Sequence, residues 1–93
     1  MGDWAAAGEL AALYLDRDDA RAREWFDRAR AEPPEWFAVA VLASKRVTVT
    51  PDELRELTTK IMALVEPYTV MGRTEVPPDA RQVHLSYRAI PAP

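Results

Sequence analysis

The segment TPDELRELTTKIMALVEPY, which begins at Thr50, constrains the fold most, because it contains a start, a periodic body and a stop for one helix. Thr50 is a favourable N-cap, Pro51 suits the first helical turn, and Glu53 is placed to complete a capping box. Pro67 ends the segment because proline interrupts a helix. The sequence therefore predicts a helix over 51–66.

One side of this helix is apolar, so it needs an apolar surface to pack against. Its apolar residues recur at helical spacing: Leu54, Leu57, Ile61, Leu64, Val65 and Tyr68. Strand-like runs flank it at 38–49 and 82–90, where apolar and polar residues alternate in part. Strand, helix and strand in this order predict a β-α-β unit with a two-stranded sheet. Parallel pairing is favoured, although the loop at 69–79 is long enough to reverse the last strand.

Residues 3–31 have the composition of a long helix, rich in Ala, Leu, Arg and Glu. Asp18 or Asp19 can also cap a second helix, so a break at this polar centre stays open beside one continuous helix. The apolar side chains exceed what a two-stranded sheet can cover, which predicts an interface with another chain or domain. The predicted interface residues are Leu10, Leu13, Tyr14, Trp25 and Phe26.

Together these elements predict an α+β fold in a single small domain, residues 1–93. Its order is a long N-terminal helix (3–31), a strand (38–49), a capped helix (51–66) and a second strand (82–90). Two strands are few for an independent sheet. We therefore expect the fold to rely on the long helix or on a second subunit.

Composition excludes several classes of function. The net charge of −3 gives no general electrostatic attraction to nucleic acid or to an anionic membrane. The chain contains no cysteine, which removes disulfides and thiolate metal sites. Its N-terminus lacks the basic and long apolar stretches of a signal peptide or membrane span, so we expect a cytoplasmic protein.

The residue types required for catalysis are not arranged in pairs. His84 is the only histidine, and we interpret it as an ordinary strand residue because no acid, base or nucleophile accompanies it. Asp16, Asp18 and Asp19 resemble the start of a calcium loop, but the required glycine and late glutamate do not follow. The sequence therefore predicts a protein that is not an enzyme and that needs no cofactor or metal.

Four short motifs resemble the C-terminal region, after the winged helix, of ArsR-like winged-helix transcriptional regulators of the actinobacterial type. In order they are Pro34-Glu35-Trp36, Val49-Thr50-Pro51-Asp52-Glu53-Leu54, Pro77-Pro78-Asp79-Ala80-Arg81-Gln82-Val83 and Ile90-Pro91. The resemblance extends from Leu10 onward. No helix-turn-helix precedes Met1, so the chain is expected to be a fragment or a stand-alone remnant, and the cysteine ligands of metal-sensing members are missing.

The resemblance implies a non-catalytic regulatory and dimerisation domain of a transcription regulator that lacks its own DNA-binding winged helix. Its partner would be a second copy or the DNA-binding domain of its own regulator. The alternative is an effector-sensing domain, with a pocket between helix 51–66, the sheet and the loop at 69–79. The predicted pocket residues are Trp36, Tyr68, Tyr87 and Arg88.

Overall fold

The computed structural model describes residues 2–93, and the regular structure in that range is entirely helical. It consists of α1 (Gly2–Arg28), a 3-10 turn (Ala29–Ala31), α2 (Pro34–Val39), α3 (Pro51–Val65) and a second 3-10 turn (Glu66–Tyr68). The chain divides into two compact units. The first unit contains the chain up to Leu42 together with Ser86–Pro93, and the second is Ala43–Leu85.

The predicted α+β fold is wrong, because residues 2–93 contain neither a strand nor a sheet. The run at 38–49 begins with the last two residues of α2 and continues as irregular chain, and the run at 82–90 is irregular throughout. Alternating side chains suit a strand only where a second strand supplies the hydrogen-bonded ladder, and two strands alone are marginal in water. The sequence offers only two such runs.

Helix α1 is continuous through the polar centre of the N-terminal segment. Its first half is rich in alanine, which has the highest helix propensity. Asp3 in the first turn and Arg28 in the last turn both complement the helix dipole. In the polar centre, Arg21 Nη1 lies 3.6 Å from Asp18 Oδ1 at i,i+3 spacing, so these charged side chains interact along the helix surface without interrupting it.

A charged contact spans the turn at the end of α1. The Arg28 guanidinium donates from Nε to Glu32 Oε1 at 3.0 Å and also lies 5.6 Å from the centre of the Trp25 ring. Pro34 then occupies the first turn of α2, where its missing N–H costs nothing. Ala29, in this turn, is 7% exposed and is the only buried residue in the described part of the chain.

The capping box predicted for α3 is confirmed. The Glu53 N–H donates to Thr50 Oγ1 at 3.1 Å, and the Thr50 N–H donates to Glu53 Oε1 at 2.9 Å. The polar side of the helix holds two exposed ion pairs at i,i+3 and i,i+4 spacing, Asp52–Arg55 at 3.0 Å and Glu56–Lys60 at 2.9 Å. These interactions within the helix stabilise α3 although no sheet packs against it in the described residues.

A compact turn follows α3. The Thr69 hydroxyl donates to the Glu66 carbonyl at 2.9 Å and accepts from the Gly72 N–H at 3.0 Å. A Cβ at position 72 would lie 2.8 Å from Thr69 Oγ1 and would clash with the Glu66 carbonyl oxygen. Glycine is therefore required here by the close approach of the chain to itself.

Candidate interaction surface on helix α1

The predicted interface residues on α1 differ in how far they are exposed. Leu10, Leu13, Tyr14 and Phe26 are 51%, 47%, 56% and 50% exposed, respectively, whereas Trp25 is half-buried. Single exposed apolar residues are ordinary, but three within two helical turns form a patch. Leu10, Leu13 and Tyr14 are such a patch, and we call them the α1 patch.

Phe26 does not share a face with the α1 patch. Each residue advances about 100° around an α-helix, which places Phe26 about 160° from Leu10. Trp25 lies closer to the direction of Leu10, but fifteen residues later it is about 22 Å further along the axis. The five predicted interface residues therefore do not form one continuous surface.

The least exposed residues of α1 form a face that adjoins the α1 patch and is centred about 100° around the axis from Leu10. They recur every three or four positions and are buried or half-buried: Leu15, Asp18, Ala22 and Trp25 in the helix and Ala29 just after it. This spacing is that of a single helix face. We call these five residues the covered face.

The C-terminal segment Ser86–Pro93 is attached to α1 within the first unit. Arg88 Nη2 donates to Asp19 Oδ1 at 2.8 Å, and the two side chains are 45% and 53% exposed. Asp19 is nine residues after Leu10, which puts it about 180° away around the helix. The attachment point therefore leaves the α1 patch accessible.

The predicted pocket residues are divided between the two units. Trp36 in α2, Tyr87 and Arg88 belong to the first unit, and Tyr68 belongs to the second. Tyr68 is 71% exposed and lies against the Arg73 guanidinium, 5.6 Å from the ring centre. The sheet that was expected to form one wall of the pocket is missing from residues 2–93.

Two charged features were missed in the sequence. Asp3, Arg17 and Arg21 continue the spacing of Leu10 and Tyr14 along α1, a signal that counting by threes and fours would have found. The Arg88–Asp19 contact joins residues 69 positions apart, and no local pattern indicates it. Both features concern surface charge and not a catalytic group.

Within the described residues, no three histidine or acidic side chains are grouped so that they could hold a metal ion. Nor does any described helix combine the length and apolar character that crossing a membrane requires. Comparison of the chain with protein-family models, curated proteins and solved structures finds no match.

Proposed function

We propose that this chain is a non-catalytic association module, acting as the regulatory and dimerisation domain of a cytoplasmic transcription regulator. One observation carries the association part of the proposal: the α1 patch is about half-exposed, while the Arg88–Asp19 contact of the C-terminal segment lies on the opposite side of the helix. The assignment to a transcription regulator rests on the four motifs that resemble ArsR-like proteins.

Burial supports an association role. Ala29 is the only buried residue among residues 3–93, so neither unit has a large apolar side chain removed from water. Burying apolar area is the main driving force of both folding and association. Because the units bury so little apolar area, the α1 patch is suited to bind a second copy or the DNA-binding domain of the same regulator.

A non-catalytic role is proposed because the sequence offers no paired nucleophile and base. Direct binding to nucleic acid is not proposed, since a net charge of −3 gives little attraction to phosphate. The effector-sensing alternative required the sheet as a pocket wall, and no observation in either unit favours it.

The first test is the solution mass of the full chain, measured by light scattering over a wide concentration range. We expect the mass to rise from monomer to dimer, and Leu10→Glu or Leu13→Glu to shift that rise to higher concentration. A mass that stays monomeric throughout, or that is unchanged by both substitutions, would refute the association role.

A second test addresses the regulator assignment. The chain is fused to a DNA-binding domain that represses a reporter only as a dimer, because such domains need two half-sites. We expect repression by the wild-type fusion and its loss in the Leu10→Glu fusion. Failure of the wild-type fusion to repress would show that association does not serve DNA binding.

A further inference from the structure

An exposed stripe of α1 contains two of the three residues of the α1 patch, Leu10 and Tyr14. Residues recur at alternating intervals of four and three, and all are exposed: Asp3, Ala7, Leu10, Tyr14, Arg17 and Arg21. At about 100° per residue these six positions fall within about 80° of one another around the axis. This is the spacing by which one helix packs along another. We call the six residues the heptad stripe.

The heptad stripe changes character along its length. Asp3 is acidic, Leu10 and Tyr14 are apolar, and Arg17 and Arg21 are basic. Asp3 and Arg21 lie at equal distances, nine residues each, from position 12. The stripe is therefore complementary to the same stripe on a second, antiparallel helix, since the acidic end of each would meet the basic end of the other and the apolar centres would meet.

We infer that the partner of the heptad stripe is a second copy of this chain, with the two α1 helices antiparallel and a two-fold axis near position 12. Each residue then faces the residue whose number completes a sum of 24. Leu10 faces the partner's Tyr14, and Asp3 faces the partner's Arg21. This inference rests on the proposed function, and it adds the partner and its orientation.

The charges decide between the two orientations. In a parallel pair, Arg17 and Arg21 would each face its own copy, and like charges opposite one another are destabilising. In the antiparallel pair, each dimer has two Asp3–Arg21 contacts, one at each end of an overlap of about 27 Å. A two-fold axis also produces a closed dimer, since the same patch is used on both copies.

The existing contact of Arg21 is compatible with this arrangement. Its Nη1 lies 3.6 Å from Asp18 Oδ1, which is long for an ion pair, and its side chain is 51% exposed. A guanidinium has five N–H donors, so it can interact with a second carboxylate while keeping the first. Asp18 lies on the covered face and Asp3 of the partner would approach from the exposed side.

Cysteine pairing tests the orientation directly, because the chain has no cysteine of its own. Asp3→Cys and Arg21→Cys are prepared as separate full-length variants and oxidised by glutathione disulfide, alone and as an equimolar mixture. We expect a disulfide-linked dimer in the mixture and little in either variant alone. The mixed dimer keeps one intact Asp3–Arg21 contact at its other end, which favours it further.

Arg23→Cys is the matched control for Arg21→Cys. It makes the same substitution two residues later, about 160° away from the heptad stripe around the helix. We expect its mixture with Asp3→Cys to remain unlinked. Equal linkage in the two mixtures, or self-linkage of Asp3→Cys alone, would overturn the antiparallel pairing.

A charge exchange provides a second readout without cysteine. Asp3→Arg and Arg21→Asp should each raise the Kd of the dimer roughly 2- to 30-fold, because each disturbs two exposed ion pairs. The double variant should restore the wild-type Kd, since the exchanged charges again face each other. They are about 27 Å apart within one helix, so only contact between copies explains a rescue.

The possible failures are distinguishable. A wild-type chain that is dimeric by light scattering but shows neither mixed linkage nor charge rescue refutes the antiparallel pairing and leaves the association role intact. A chain that is monomeric by light scattering refutes both. If this chain bound the winged-helix domain of its regulator and not a second copy of itself, that result would also refute the self-pairing.

Discussion

Truncating the α1 patch one side chain at a time gives the sharpest test of the surface. Leu10→Ala removes an apolar side chain that is 51% exposed in the single chain. Alanine has the highest helix propensity, so α1 itself is expected to remain intact. Any change in association therefore reports the lost side chain and not a lost helix.

The expected loss of dimerisation free energy follows from how much of the Leu10 side chain is still exposed in the single chain. Fully burying a leucine side chain contributes about 1.5–3 kcal/mol, and about half of that remains to be gained at Leu10. A two-fold dimer uses the residue twice, so Leu10→Ala should cost about 1.5–3 kcal/mol per dimer, or about 10- to 150-fold in Kd.

The assay is sedimentation equilibrium over micromolar to millimolar chain concentration, with far-ultraviolet circular dichroism to verify that helix content is unchanged. Phe26→Ala is the matched control. Phe26 is 50% exposed and thus nearly as exposed as Leu10, but it lies about 160° away around α1. We expect its Kd to match that of the wild type.

Two results would refute the reasoning. If Phe26→Ala weakens association as much as Leu10→Ala does, association depends on exposed apolar area in general and not on the α1 patch. If Leu10→Ala leaves the Kd unchanged while the chain still dimerises, the patch lies outside the interface.

Further predictions concern local stability. Thr50→Ala should cost α3 about 1 kcal/mol because it removes the capping box, measured as faster amide exchange in the first turn. Gly8→Ala should stabilise α1 by about 0.5–1 kcal/mol, since a Cβ there meets open space, and a higher melting temperature would show it. Gly72→Ala should lower the melting temperature, because its Cβ clashes with backbone in the turn after α3. Arg88→Ala should cost at most about 1 kcal/mol, since its ion pair is half-exposed, and should speed proteolysis of the C-terminal segment without changing α1.

The capping box at Thr50 was predictable from sequence because all of its atoms come from four consecutive residues. The helix start, the donor and the acceptor are fixed by neighbours along the chain, so no distant contact can move them. The same reasoning applies to proline at the start of α2. Helix α2 was not predicted, although Pro34 is well suited to the first turn of a helix.

The strands were predicted from alternation, which is a weaker signal. Val47 and Val49 alternate with polar residues, but a strand forms only when another segment supplies hydrogen-bond partners. Whether such a partner exists depends on the rest of the chain, so the sequence of a ten-residue segment does not reveal it. The composition of 38–49 also begins with alanines, which favour helix over strand.

The predicted interface combined residues that lie on different sides of α1 or far apart along its axis. Trp25 and Phe26 were grouped with Leu10 because all are apolar and belong to one helix. The structure shows which side of α1 is less exposed, and that information comes from the neighbours of the helix rather than from its sequence. The covered face includes Asp18, a residue that no apolar pattern would select.

The contact between Arg88 and Asp19 closes a loop of the chain, because 69 positions separate the two residues. Closing a flexible loop of that length costs about 3.7 kcal/mol in chain entropy, whereas a half-exposed ion pair returns at most about 1 kcal/mol. The ion pair alone therefore does not keep the loop closed, and the intervening order of α3 reduces the entropy that must be lost. We expect Ser86–Pro93 to detach and rebind many times during the lifetime of a folded α1, and to do so more often as salt concentration rises.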